Sequence, residues 1–226
     1  MADDTRPVDG ARWGEWVRAG SERWEVVRRS LGVFTRNTTE LIDLLNRPAA
    51  DMAFALQLMG DDRATTDAFW DELDQRLHNH ISSAVSLVDH TRRLLHYYEA
   101  YVPALVKEYE RRNAIITEMR ETAFLRDLRN YLLHVGMAPI IQTLDLGSTH
   151  GHHVKLSAAR LLEWPKWSAR SHAYLSSFAD RDGPVLGRDV VAYANAMSDP
   201  FTWLFQQRQA VHNDPTVMNR FRMDPP

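Results

Sequence analysis

The sequence predicts a mainly α-helical fold with a small β-hairpin in its C-terminal half, and three observations support this class. Apolar residues recur every three or four positions over most of the 226-residue chain, which is the spacing of a helix buried on one side. Residues 63 to about 98 contain neither glycine nor proline and predict one long helix. Residues 140–156 instead alternate apolar and polar side chains around a glycine-containing turn, which is typical of a β-hairpin.

The N-terminal part is predicted to hold extra helices before this long one. Residues 1–8 are expected to be disordered, and a first helix begins at Asp9. A second, short helix is predicted for residues 38–45. Pro48 then opens a third helix, because proline is favoured in the first helical turn, where its N–H is not needed. Gly60-Asp61-Asp62 has the composition of a turn.

Two further helices are predicted after the long one. The first runs from Pro103 to about Met119, and the apolar face then changes direction. This change predicts a break near Glu121-Thr122 with Thr122 as the N-cap of the next helix, and a continuous helix buried on both sides is the alternative. Gly136 is predicted to end the next helix, as glycine commonly does.

The C-terminal region is predicted to combine the hairpin with short helices. The strands cover residues 140–146 and 153–156, and Ser157 caps a short helix directly after them. The remaining predicted helices are residues 168–178, residues 189–197 and a last helix from Asp199-Pro200 to about His212. Residues after Asn213 are expected to form a tail.

Composition limits the classes of function. The net charge is −3, with 27 basic and 30 acidic residues, so contact with nucleic acid would need a local basic cleft. The absence of cysteine excludes disulfides, thiolate metal sites and cysteine nucleophiles. No run of 18 apolar residues and no signal-peptide pattern occur, which predicts a cytoplasmic protein with no membrane contact.

Residues 124–136 carry the clearest chemistry. At about 100° per residue, the stretch divides into an apolar and a polar arc. The apolar arc holds Phe124, Leu125, Leu128, Tyr131, Leu132 and Val135, and the polar arc holds Arg126, Asp127, Arg129, Asn130 and His134. Asn130 and His134 lie one turn apart, and Leu133 is an apolar residue among the polar ones.

These residue types suit the cleavage of a phosphodiester without a metal ion. An arginine such as Arg129 binds phosphate through a permanently charged fork. His134 can transfer protons near neutral pH, and Asn130 can orient its imidazole or bind a phosphate oxygen. The nucleophile would be the 2′-hydroxyl of RNA itself.

The pattern Arg129-Asn130-x3-His134 resembles the motif of the HEPN superfamily, the higher eukaryote and prokaryote nucleotide-binding domains. The resemblance implies an antiparallel helical bundle, with residues 63–136 as its core, residues 1–62 as an N-terminal helical extension, and residues 137–226 packed on the core. It also implies a metal-independent endoribonuclease related to toxins or defence, with Arg129, Asn130 and His134 as catalytic residues. Members commonly form homodimers with facing motifs, and Leu133 would then be a dimer contact.

The same resemblance implies RNA or a nucleotide as ligand, an antitoxin or other protein as a possible partner, and no cofactor. Asp89, His90 and Arg126 are secondary candidates for the cleft, since an early helix packs beside the motif helix in HEPN-like folds. A separate cluster, His150, His152 and His153, has residue types that bind zinc or copper. Neighbouring strand residues point to opposite faces, so a turn without metal is the prediction there.

Two alternatives stay open, and with them the question of whether the chain is an enzyme. A catalytically inactive HEPN-like module would form the same bundle and bind a nucleotide or a protein without cleaving RNA. A structural helical scaffold would leave Asn130 and His134 dispersed in solvent. In that case the seven tryptophans would mark a structural interface.

Overall fold

The computed structural model describes residues 7–60, 63–145, 151–178 and 182–222, and these residues are mainly α-helical, as predicted. The described part of the chain holds nine α-helices, one two-stranded antiparallel sheet and a short 3-10 turn at Asn219–Phe221. In chain order the elements are α1 (Gly10–Ala50), α2 (Met52–Met59), α3 (Arg63–Glu99), α4 (Pro103–Glu118), α5 (Arg120–His134), β1 (Ile140–Asp145), β2 (Gly151–Leu156), α6 (Ala158–Leu162), α7 (Ala169–Ser176), α8 (Leu186–His212) and α9 (Pro215–Met218).

The chain forms two compact units, each assembled from separate stretches of sequence. Unit 1 comprises Met1–Gly32, Ser86–Ala114 and Ser198–Pro226, and unit 2 comprises Val33–Val85 and Ile115–Met197. The boundaries fall inside α1, α3, α4 and α8. The predicted division into residues 1–62, 63–136 and 137–226 concerns the extent of a HEPN-like core and stays a prediction.

Aromatic side chains form the core of unit 1. Trp16 and Trp24 of α1 and Tyr98 of α3 are all buried. The indole Nε1 of Trp24 donates a hydrogen bond to the Tyr98 hydroxyl at 2.9 Å, and that hydroxyl lies 2.6 Å from Nε2 of His212 in α8. Trp24 and Tyr98 therefore bury large apolar surfaces with their polar atoms paired, whereas the buried Nε1 of Trp16 has no hydrogen-bond partner among the described residues.

The antiparallel sheet of unit 2 forms where the sequence predicts the hairpin, although β2 begins at Gly151, two residues before the predicted start of the second strand. Strands β1 and β2 pair antiparallel with Ile140 opposite Leu156 and Thr143 opposite His153. Ser157 follows β2 and caps α6, because its hydroxyl accepts a hydrogen bond from the Arg160 N–H. Both the hairpin and the Ser157 cap are therefore confirmed.

The three predicted N-terminal helices are wrong in number, because residues 10–50 form one continuous helix before α2. Thr38 explains the difference, since it is a polar member of the buried row Phe34, Thr38 and Leu41. The Thr38 hydroxyl donates to the Phe34 carbonyl at 2.8 Å and lies 3.0 Å from Nδ1 of His80 in α3. Burial lowers the pKa of His80 to about 4, which keeps the imidazole neutral at pH 7. Thr38 can therefore occupy a buried position, because His80 of α3 satisfies its hydroxyl, and the buried row of α1 continues through it.

Two predicted helix starts are also wrong. Pro48 lies in the last turn of α1, and α2 is instead capped by Asp51, whose side chain accepts from the Phe54 N–H at 3.1 Å. The predicted break before α5 is confirmed, but it lies at Met119, which has an extended backbone, so Thr122 is inside the first turn and is not the N-cap. Helix α4 thus ends where the apolar face changes, and Met119, the N-cap residue of α5, forms no side-chain capping hydrogen bond.

Asp199-Pro200 does not begin a new helix, because α8 runs unbroken from Leu186 to His212 with Pro200 inside it. Phe201 and Leu204, directly after the proline, are buried, and Phe201 packs against Tyr109 with ring centroids 6.2 Å apart. The Asp199 carboxylate pairs with Arg112 at 3.2 Å. Tertiary packing after the proline therefore keeps the helix intact despite the missing N–H.

Residues 214–222, which the sequence predicts as part of a tail, are not a free tail. Asp214 caps α9, its side chain accepting from the Thr216 N–H at 2.8 Å. Phe221 is buried, with its ring 5.3 Å from Trp13 and 5.0 Å from Tyr101 between centroids. One aromatic side chain therefore holds the last described residues against the core of unit 1.

The first described residues are ordered by the same segment. The Asp9 N–H donates to the Phe221 carbonyl at 2.8 Å, and Val8 forms an isolated antiparallel bridge with Arg222. The predicted disorder is therefore wrong for Val8. The rest of that prediction, for residues 1–6, and part of the predicted turn, residues 61–62, lie outside the described residues.

Among the described residues, no helix combines the length and the apolar composition that crossing a bilayer requires.

Candidate functional site on helix α5

Helix α5 carries the predicted motif, and the opposite side of this helix is fixed in the core of unit 2. Phe124, Leu128 and Tyr131 are buried. The Phe124 ring packs against Trp167 with centroids 5.8 Å apart, and the Tyr131 ring stacks on Trp167 at 5.9 Å. Close aromatic packing of this kind fixes the rotation of the helix, and with it the direction of the motif residues.

Asp127 is part of this anchored side, although the sequence places it on the polar arc. The carboxylate is buried, and Oδ2 accepts hydrogen bonds from the Ser171 hydroxyl at 2.7 Å and from the Ser168 N–H at 3.0 Å. Ser168 is the N-cap of α7, where a negative charge is favourable. Burial of the carboxyl raises its pKa, but the hydrogen bonds from Ser168 and Ser171 outweigh burial and leave the pKa below its usual range.

Replacing Asp127 with alanine is expected to lower the free energy of unfolding by about 2 kcal/mol, because the Ser168 N–H and the Ser171 hydroxyl lose a charged acceptor. Asp127→Asn should cost less, since its amide oxygen still accepts. Urea unfolding followed by tryptophan fluorescence measures both changes. Asp43→Ala, which removes an exposed carboxylate in the same unit, is the control and should leave stability unchanged.

The stability that Asp127 contributes is also expected to depend on pH. A carboxyl with a lowered pKa in the folded state stabilises the fold above the ordinary aspartate pKa of about 3.9, and this contribution is lost as the pH falls. The difference between wild type and Asp127→Ala should therefore shrink below about pH 4. A difference that grows on acidification would contradict the role given to Asp127.

The motif side of α5 faces away from this packing. Arg126, Asn130 and His134 are exposed and form one row, because each lies four residues after the previous one. Arg129 is half-buried beside that row. Within the described residues, the side chains of Arg129, Asn130 and His134 form no hydrogen bond or ion pair, and Arg126 makes only a long contact of 3.5 Å with Asp127. The groups that would bind a phosphate and move a proton are therefore available to a ligand.

Three apolar side chains at the end of α5 are also exposed. Leu133, Val135 and Met137, which we call the apolar end group, have exposed fractions of 49%, 50% and 62%. Val135 belongs to the apolar arc by its spacing but is exposed, because it is the C-cap residue, where the chain leaves the helix. Gly136 follows with a φ of 143°, which confirms it as the residue that ends the helix.

The two secondary candidates on α3 lie in unit 1, whereas the motif lies in unit 2. Asp89 pairs with Arg92 at 3.2 Å, and Nδ1 of His90 lies 2.5 Å from the Ser30 hydroxyl oxygen. Their membership of a cleft shared with the motif stays a prediction.

In the described residues, no group of three or more histidine, aspartate and glutamate side chains is arranged to hold a metal ion. His153 is exposed on β2. His150 and the side chain of His152 lie outside the described residues, so the predicted histidine turn is described only at His153.

Sequence reasoning missed the anchoring role of Asp127 and the exposure of Val135 and Met137. The sequence contains a partial signal for the anchoring role of Asp127, because Ser168 begins a predicted helix and a helix N-terminus attracts a carboxylate. Nothing in the spacing identifies which of the chain's acidic residues fills that position. The exposure of Val135 depends on where the helix ends to within one residue, which periodicity does not resolve.

No family model, curated protein or solved structure matches this chain. The site is therefore characterised by the contacts and exposure of its own residues.

Proposed function

We propose that this chain is a HEPN-like, metal-independent endoribonuclease of the cytoplasm that acts as a homodimer. One observation supports the proposal above others. Arg129, Asn130 and His134 are without internal partners among the described residues, on a helix whose other side is fixed by Asp127 and by aromatic packing. Side chains that are free on a rigid element can bind substrate without first breaking bonds within the protein.

The proposed reaction is attack by the RNA on its own backbone. A neutral histidine takes the proton of the 2′-hydroxyl, the 2′-oxygen bonds to the adjacent phosphorus, and the bond from phosphorus to the 5′-oxygen breaks. An imidazolium gives its proton to the departing 5′-oxygen. The products are a 2′,3′-cyclic phosphate and a 5′-hydroxyl, and no metal ion or external reagent is consumed. Arg129 stabilises the charge on the phosphate oxygens, and Asn130 orients His134 or binds one of those oxygens.

The same chemistry supports a dimer. A single histidine cannot be the base and the acid in one step, and a second copy of His134 would supply the other role. The apolar end group lies directly beside the motif, and exposed apolar side chains of this kind commonly mark a protein contact. In a dimer with twofold symmetry, Leu133 would contact the same surface of the partner chain.

Purified protein in EDTA is expected to cleave single-stranded RNA and to leave the same sequence intact when its sugars are 2′-deoxy. His134→Ala and Arg129→Ala should each lower the rate at least about 100-fold, because each removes a proton carrier or a phosphate-binding charge. His172→Ala and Arg36→Ala remove exposed residues of the same types in the same unit and should leave the rate unchanged. Cleavage that survives in both motif variants would overturn the proposed mechanism.

The dimer is examined with the same samples. Leu133→Asp should shift the particle mass from dimer to monomer in light scattering and should remove cleavage with it, because a charge cannot be buried against the facing apolar surface. Leu56 on α2 is also exposed, so Leu56→Asp is the matched control and should change neither the particle mass nor the rate of cleavage. A monomeric wild-type protein with full activity would contradict the dimer part of the proposal.

The apolar end group also supports a second candidate, an inactive HEPN-like module whose motif side binds a protein such as an antitoxin. It predicts no cleavage by wild type. It also predicts that Leu133→Asp abolishes binding of that partner.

A further inference from the structure

Unit 1 contains an open groove that is lined by two arginines and two histidines and by none of the three motif residues Arg129, Asn130 and His134. The groove has a volume of about 490 Å³, and sites for small molecules commonly measure roughly 300–1,000 Å³. We call it the Arg93 groove, and its lining residues on α1 and α3 are Arg23, Val26, His90, Arg93, His96 and Tyr97. All of them belong to unit 1, whereas the motif of α5 belongs to unit 2.

Arg23 is held in place on one side of the groove. Its guanidinium lies 4.1 Å from the centre of the Tyr97 ring, and Nη1 donates to the Ala19 carbonyl at 2.8 Å. The Tyr97 hydroxyl in turn donates to the Trp16 carbonyl at 2.9 Å. The arginine is thus oriented by a ring and a carbonyl, forms no ion pair within the described residues, and has further N–H groups that can bind a ligand.

His90 is oriented by a hydroxyl with a single proton. The Ser30 hydroxyl donates that proton to the Val26 carbonyl at 2.9 Å, so in its 2.5 Å contact with His90 it accepts from Nδ1–H. Nε2 is therefore the ring nitrogen of His90 that a ligand can use. It accepts a hydrogen bond when the ring is neutral and donates one when the ring is charged.

Arg93 and His96 are the remaining polar side chains of the groove lining on α3. Arg93 is exposed, and its side chain forms no hydrogen bond or ion pair within the described residues. His96 lies 3.4 Å from Glu99, and the nearby carboxylate of Asp89 is paired with Arg92. His90, Arg93 and His96 follow each other on α3 at three-residue spacing, about 4.5 Å along the helix axis, so they line one wall of the groove.

We infer that the Arg93 groove binds the phosphate of a nucleotide. Arg93 and His90 are placed to bind phosphate oxygens, and the flat guanidinium of Arg23 with the apolar Val26 offers a surface for a base. The ligand is either a free nucleotide or one nucleotide unit of an RNA strand, because both present the same phosphate and base. The inference does not depend on the proposed ribonuclease.

Titration calorimetry on the full chain at low salt, with ADP, inorganic phosphate and a short 2′-O-methyl RNA strand as probes, tests this site. At least one nucleotide probe should bind saturably, and Arg93→Ala should weaken that binding about tenfold or more. Arg93→Lys should retain part of the affinity. Binding of ADP identifies a free-nucleotide site, and binding of the RNA strand alone identifies a strand site.

Arg92→Ala is the matched control, because this neighbouring arginine on the same helix is paired with Asp89 and does not line the groove. It should leave affinity unchanged. Equal losses in Arg92→Ala and Arg93→Ala, no loss in Arg93→Ala, or no saturable binding of ADP or RNA would overturn the inference. Arg93 is exposed, and circular dichroism confirms that its variants are folded.

Discussion

Replacing Gly183 with alanine is expected to lower the free energy of unfolding by about 3 kcal/mol or more. Gly183 has a φ of 151°, and a Cβ atom there would lie 1.8 Å from the Leu156 carbonyl oxygen and 2.9 Å from the Ala158 nitrogen. Both neighbours are backbone atoms and cannot rotate away. The residue after Gly183 is also hydrogen-bonded to the end of β2, since the Leu156 N–H donates to the Pro184 carbonyl at 3.0 Å. A side chain must push these segments apart.

Gly136→Ala distinguishes the steric cost at Gly183 from the cost of a positive φ alone. Gly136 also has a positive φ, 143°, but a Cβ atom there meets no atom of the described residues within 4 Å. Its cost should be only that of the unfavourable backbone conformation, about 1–2 kcal/mol. Urea unfolding of the two variants should therefore give clearly different losses. Equal losses would mean that the close approach of Gly183 to the end of β2 is not as described.

Replacing Gly20 with alanine is expected to lower the free energy of unfolding by about 3 kcal/mol, the upper part of the usual range for overpacking. A Cβ atom at this position in α1 would lie 2.2 Å from the Tyr98 hydroxyl oxygen and 3.2 Å from Nε2 of His212. Tyr98 is fully buried and held by its hydrogen bond from Trp24, so it cannot move without breaking that bond. The substitution therefore disturbs the centre of the aromatic core of unit 1.

The control for this prediction lies in the same helix. A Cβ atom at Gly14 or Gly32 meets no described atom within 4 Å. Alanine at these two positions should stabilise the protein by about 0.5–1 kcal/mol, because it reduces the backbone freedom of the unfolded chain. Gly20→Ala and Gly14→Ala should thus shift the thermal midpoint in opposite directions. A stabilising Gly20→Ala would show that Tyr98 does not occupy the position described.

Elements governed by local patterns could be predicted from the sequence. Helix α3 follows from an uninterrupted stretch of helix-forming residues, the hairpin from alternation around a glycine turn, and the α6 cap from Ser157. The break between α4 and α5 follows from the change of apolar face, although its position at Met119 does not. In each case the signal and its consequence lie within one or two turns of chain.

Features that depend on distant partners could not be predicted. The continuity of α1 depends on Thr38 and His80, which are 42 residues apart. The burial of Phe221 depends on Trp13 and Tyr101, and this packing orders a segment that the sequence presents as a tail. Periodicity shows that a residue suits a buried position, but it does not show which partner will satisfy a polar group there.

The candidate site shows the same division. The sequence by itself determined that Arg129, Asn130 and His134 share one side of a helix, because helical geometry sets their spacing. Only the tertiary structure decided that Asp127, also on the polar arc, turns inward to Ser168 and Ser171, and that Val135 and Met137 are exposed. It also brought Arg23 beside Tyr97, 74 residues away along the chain, in the Arg93 groove. Spacing along a helix is a local property, whereas burial and the pairing of charges depend on which segments fold against each other.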